Sequence, residues 1–89
     1  MIVTNEFGGR QSKIDSKLTL IPPKAVIEVG RVMLQGEVSH GKDNWRFIPL
    51  DEHLDHALLH IMEYLSGGTD EDHLSHAATR LLMALELRE

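Results

Sequence analysis

His53-Leu54-Asp55-His56-Ala57-Leu58-Leu59-His60-Ile61-Met62-Glu63-Tyr64-Leu65 is followed, at an offset of 20 residues, by His73-Leu74-Ser75-His76-Ala77-Ala78-Thr79-Arg80-Leu81-Leu82-Met83-Ala84-Leu85. Both stretches carry His-Leu-x-His-Ala, and both are preceded by acids, Asp51-Glu52 and Glu71-Asp72. Leu54, Ala57, Leu58, Ile61 and Leu65 recur at helical spacing, as do Leu74, Ala77, Ala78, Leu81 and Leu85. The pattern predicts helices over 50–66 and 70–87. Asp51 and Glu52 complement the dipole of the first. Thr69-x-x-Asp72 resembles a capping box for the second, with Asp in place of the preferred Glu. Gly67-Gly68 closes the first helix and leaves a connection short enough to fold the pair into an antiparallel hairpin.

Outward from the hairpin, signals weaken. Pro22-Pro23 suits a helix start, and Ala25, Val26, Val29, Val32 and Met33 keep helical spacing. Gly30 inside this helix weakens the signal or marks a close helix contact, and Gly36 is expected to end it, giving a span of 22–36. Residues 37–49 read as a loop, long for so small a chain, and such loops are functional or hold unrecognised structure. His40 is alone there and reads as a loop residue. Residues 1–21 read as an irregular arm. No segment alternates well enough to argue for a sheet, so the fold class is all-α: one domain over 1–89, with an N-terminal arm and a C-terminal antiparallel helical hairpin.

At about 100° per residue, with His53 at zero, Leu54, Leu58, Ile61 and Leu65 fall near roughly 80–140°. Glu52, His53, His56, His60 and Glu63 fall near roughly 260–360°. The second helix repeats the division, with Asp72, His73, His76 and Arg80 on its polar side. A solvated helix face is more often Glu, Lys and Arg, which form helices better than His. Five histidines in 24 residues, in register on two helices, therefore point to chemistry. The histidine face lies away from the apolar seam, so a site there needs another wall: the arm, the first helix or a second subunit.

The 89 residues contain no cysteine, which excludes disulfide and thiolate staples. A chain this small buries a limited share of its surface, so a homo-oligomer or a bound ligand is expected. Net charge is −5, which argues against a duplex nucleic-acid surface. No apolar run approaches the roughly 20 residues that span a bilayer, and Met1-Ile2-Val3-Thr4-Asn5-Glu6 has no signal-peptide character. A cytoplasmic protein with no membrane partner is expected.

Imidazole with carboxylate suits Mn, Fe, Co, Ni or Zn better than Mg. The candidate metal ligands are His53, His56, His60, His73 and His76. His56, His76, Glu52 and Asp72 are the candidate catalytic groups, as ligands or base for attack on phosphorus. Without metal, protonated histidines could bind phosphate directly. Gly8-Gly9-Arg10-Gln11-Ser12-Lys13 offers backbone donors with Arg10, Gln11 and Lys13 for phosphates, although it lacks the P-loop pattern and equally reads as a flexible arm. Lys42, Asn44, Trp45 and Arg46 join cations to an amide and an aromatic. Trp45 could stack a nucleotide base or plug the core.

Gly-Gly-Arg-Gln-Ser (8–12), Leu-Ile-Pro-Pro-Lys-Ala (20–25), Asp-Asn-Trp-Arg (43–46), His-Leu-Asp-His-Ala-Leu-Leu-His (53–60), Glu-Asp-His-Leu-Ser-His-Ala (71–77) and Arg-Leu-Leu-Met-Ala-Leu-Glu-Leu (80–87) occur in this order. Together they resemble the phage and bacterial family described as dATP/dGTP diphosphohydrolase, N-terminal domain. The resemblance covers about residues 7–87. It implies a place in phage nucleotide metabolism and a likeness to the MazG-like all-α pyrophosphohydrolases, which convert a nucleoside triphosphate to monophosphate and pyrophosphate. Those enzymes hold Mg with ExxE and ExxD, where this chain has His53-x-x-His56 and His73-x-x-His76. The expected function is metal-dependent hydrolysis of purine deoxynucleoside triphosphates, with Mn, Co, Fe, Zn or Mg as cofactor. The alternatives are an oligomeric phage protein that sequesters a nucleotide or nucleotide-derived defence signal, and a fragment whose histidines only form an interface.

Overall fold

The length of the first helix is set by Gly41. Its φ of 92° lies where a side chain is strained, and its N–H still bonds the Glu37 carbonyl. The computed structural model describes residues 1–89. Strands β1 (Ile2–Thr4) and β2 (Arg10–Ser12) come first. A 3-10 turn at Leu18–Leu20, helix α1 (Pro23–His40) and a second 3-10 turn at Asn44–Phe47 follow. Helices α2 (Leu50–Leu65) and α3 (His73–Leu87) complete the chain. The chain is all-α but for one small ribbon.

Several local expectations change. The first helix runs four residues past Gly36. A mid-helix glycine costs only about 1 kcal/mol relative to alanine, too little to stop a helix that other residues extend. The expected loop 37–49 is thereby reduced, and half of what remains is the 3-10 turn that carries Trp45. The N-terminal arm is not wholly irregular. β1 pairs antiparallel with β2, with Val3 opposite Gln11. The Asn5 Oδ1 accepts from the Phe7 and Gly9 N–H groups at 2.9 Å each and shapes the turn. Strands of three residues are too short to show alternation. Helix α3 starts at His73 rather than 70, and Asp72 is its N-cap: Oδ1 accepts from the Ser75 N–H at 3.1 Å and Oδ2 from the Ser75 hydroxyl at 2.6 Å. Thr69 caps nothing.

The largest revision concerns which face is inside. The fully buried residues are His53, Ala57, His73, Ala77, Thr79 and Ala84. The leucines of the apolar stripe are outside: Leu58 is 54% exposed, Leu65 70% and Leu85 50%. On the helical wheel the buried arc of α2 is centred near roughly 20°. There Ala57 lies beside His53 and His60, between the leucine and acid-histidine stripes. Ala77, Ala84 and His73 occupy the same arc of α3. Two helices pack against each other mainly through alanine and histidine. Thr79, His76 and Met83 lie near roughly 240–300° on α3, which is the side that faces α1 and the Trp45 turn.

Candidate functional site

The turn before α3 brings the first group together. Gly68 passes so close to α2 that an added Cβ would meet the Glu63 carbonyl oxygen at 2.9 Å and His73 Nε2 at 3.2 Å. With no side chain at 68, the turn delivers Asp70 and Glu71 to the His73 ring. Asp70 Oδ1 lies 2.8 Å from His73 Nε2. A carboxylate accepts, so His73 donates from Nε2 and its Nδ1 carries the lone pair. That lone pair faces His60 Nδ1 at 2.9 Å. Glu71 Oε1 stands 3.3 Å from His60 Nδ1 and 3.5 Å from His73 Nδ1.

These three atoms form a group that could hold a metal ion. Bonds of about 2.0–2.2 Å at tetrahedral angles place ligand atoms roughly 3.3–3.5 Å apart. Two of the three separations already have this value, and the third closes only because a proton can sit between the two Nδ1 atoms. Two imidazoles and one carboxylate suit a nitrogen-accepting divalent ion such as Zn, Mn, Co or Fe. Asp70 is placed as the outer carboxylate that fixes the tautomer of a ligating histidine. The hydrogen bond from His73 holds the Asp70 carboxyl below its ordinary range. Burial lowers the His60 imidazole. The Glu71 carboxylate pulls it the other way, and the neighbouring His76, His73 and His56 add to the lowering.

The other expected ligands lie outside this group. His53 is fully buried, and both its nitrogens are engaged: Nε2 with the Trp45 carbonyl at 2.9 Å and Nδ1 with Arg80 Nη1 at 3.1 Å. His76 stacks on His60, ring centres 5.1 Å apart. His56 is exposed one turn before His60, and Glu52 is exposed in the first turn of α2. Asp72 is committed to the cap.

The second feature is a cleft of about 550 Å³ between α1, α3 and the Trp45 turn. Lys42, Asn44 and Trp45, picked from the sequence, line it, as does His76. Arg46 stacks its guanidinium over the Trp45 ring at 4.4 Å and pairs with Asp43 at 3.5 Å. Arg10 and Gln11 instead share a surface notch with Ile2 and Ser12, and Lys13 closes the ribbon through its N–H to the Met1 carbonyl. None of these three lines the cleft. The sequence reading passed over Glu71 as a ligand, Asp70 and Arg80. Asp70 and Glu71 precede the helix, where a 100° period assigns no face. Arg80 in the repeat stands where the first copy has His60, and that correspondence was the available signal.

The family model described as dATP/dGTP diphosphohydrolase, N-terminal, matches residues 5–89. The chain belongs to this family. The dATP/dGTP diphosphohydrolase of Salmonella phage PMBT28 is 33% identical to it over 70 residues, covering 73% of this chain and 24% of the relative. The chain thus spans about a quarter of the length of that relative. No solved structure matches it. Within the dATP/dGTP diphosphohydrolase N-terminal family, the histidine group and the cleft are the features of this chain with chemistry to offer.

Proposed function

We propose that this chain binds a purine deoxynucleoside triphosphate and takes part in its metal-dependent hydrolysis to monophosphate and pyrophosphate. The supporting observation is that the metal-capable group and the cleft meet at one residue: His76 stacks on the ligand candidate His60 and also lines the cleft. The name of the phage relative supports the substrate class.

His60, Glu71 and His73 would hold the ion, whose chemistry is Lewis-acid polarisation of a phosphoryl oxygen. Lys42 and Asn44 supply phosphate and base contacts from the cleft wall, and Trp45 a stacking surface. Water attacks the α-phosphorus, the bond to the bridging oxygen breaks, and pyrophosphate leaves. The proton released by water needs an acceptor, and half-buried His76, stacked on His60 and lining the cleft, would be that base. His56, exposed beside it, is the second candidate. A second copy of the chain completes the fold by covering the outward leucines, and the assembly works in the cytoplasm of its host.

The test incubates the protein with dATP, dGTP and their ribose counterparts, with Mg, Mn, Co or Zn in turn, and separates the products. Monophosphate plus pyrophosphate is expected, reduced at least 100-fold in His60→Ala/His73→Ala. Intact nucleotide under every metal sinks the reading. A second reading, capture of a nucleotide without cleavage, is favoured by the single carboxylate in the ligand group. It predicts that same intact nucleotide, recovered bound to the protein.

A further inference from the structure

Arg80 lies on the inner side of α3, partly buried, on the wall of the cleft. No carboxylate lies within ion-pair distance of it: the side chains that pair with carboxylates are Arg31, Arg46, His60 and His73. Glu37 and Asp43 also line the cleft, but Asp43 is engaged by Arg46. Burial lowers the Arg80 guanidinium from its ordinary value, with no opposing charge to offset it. A cation drawn partly out of water without a counter-ion is unfavourable unless something else supplies the negative charge.

The guanidinium is also held in place. His53 Nε2–H donates to the Trp45 carbonyl, which leaves the Nδ1 lone pair to accept from Arg80. One of five guanidinium N–H donors is thereby used, and the flat fork keeps its orientation with donors to spare. The α1 wall of the cleft includes two glycines. These are Gly30 and Gly36, and an added Cβ at either would meet nothing within 4 Å. Packing does not require glycine there, although each weakens the helix. Both glycines and Arg80 line the same cleft. A cleft of about 550 Å³ is of the size that small ligands occupy.

We propose that Arg80 is the anion anchor of this cleft, gripping a phosphoryl group of the ligand, with His53 as the residue that positions it. The choice of phosphate as the anion rests on the nucleotide reading above; the need for an anion does not.

The experiment titrates the full chain with inorganic pyrophosphate in EDTA, so that no metal can bridge protein and ligand. Wild type binds, Arg80→Met binds at least ten-fold more weakly, and Arg80→Lys falls between, since it keeps the charge and loses the fork. His53→Gln keeps one donor and one acceptor and retains binding, whereas His53→Leu loses it with helical content unchanged. Equal affinity in wild type and Arg80→Met, or no binding by wild type, overturns the anchor. The two readings fail separately. Pyrophosphate held through Arg80 with no triphosphate cut under any metal leaves the anchor and removes hydrolysis. Triphosphate cut with unchanged KM in Arg80→Met removes the anchor and leaves hydrolysis.

Discussion

At the scale of single residues, the chemistry is concentrated in a few fixed tautomers. Asp70 decides which nitrogen of His73 carries hydrogen, and hence that His73 turns a lone pair toward His60. Outer carboxylates of this kind alter metal affinity by about 10–100-fold when removed. Asp70→Asn is therefore expected to weaken Zn or Co binding by that factor in titration calorimetry, and Glu71→Gln, which loses a ligand atom, by more. Wild-type affinity in both variants would place the metal elsewhere. Two positions along, Asp72 has a purely structural task. The Ser75 hydroxyl, and then the Ser75 N–H, hold its carboxyl below the ordinary 3.8. A carboxyl lowered in the folded state contributes stability above that ordinary value and loses it as pH falls through the folded one. Asp72→Ala is thus expected to cost about 1 kcal/mol at neutral pH, the usual worth of an N-cap. In denaturant titrations the gap to wild type should stay constant from pH 8 to 5 and narrow below about pH 4. A gap indifferent to pH would mean that the charged cap contributes nothing.

At the scale of elements, the pairing of α2 with α3 explains both what the sequence shows and what it hides. The repeat announces two helices and a short turn, and both are present. The histidine set is equally legible, because poor helix formers in register stand out on any wheel. The inner face is not legible. Side-chain hydrophobicity makes Leu54, Leu58, Leu81 and Leu85 the obvious core, yet these helices meet through Ala57, Ala77 and Ala84. Small residues let two backbones approach closely, and His53 and His73 fill the space beside them with hydrogen bonds that satisfy their nitrogens. A scale that ranks residues one at a time cannot weigh alanine with a bonded histidine against a leucine row that has no partner within one chain. Glu71 and Asp70 escaped for a different reason, since the turn that presents them has no period. The alanine seam can be tested directly. Ala57 is 1% exposed, so Ala57→Leu must push the helices apart, at a cost of about 1–3 kcal/mol. Chemical denaturation should show that loss, whereas Leu58→Ala should cost far less in the isolated chain. The opposite order would restore the leucine stripe as the core.

At the scale of the whole molecule, the surface is too large for the mass. The chain exposes 7447 Å², against about 5,200 Å² for a compact protein of 10.0 kDa. Its radius of gyration is 17.5 Å, against about 12 Å for a compact chain of 89 residues. The excess of roughly 2,200 Å² is well above the approximately 800 Å² that each partner contributes to a stable interface. Much of it is apolar: Leu54, Leu58, Leu65, Leu74, Leu81 and Leu85 are all exposed. On α3 this stripe, near roughly 80–120°, points away from the arc that lines the cleft, near roughly 240–300°. A second copy laid on the leucines would leave the cleft open and His76 reachable. The expected outcome is that wild type sediments as a dimer or larger species at micromolar concentration. Leu58→Glu/Leu81→Glu should sediment as a monomer of unchanged helical content, because it puts charge into the proposed contact and touches none of the alanine seam. A wild-type monomer would leave the leucine face uncovered and remove the second copy from the proposed assembly. A dimer that survives both substitutions would move the contact to another face.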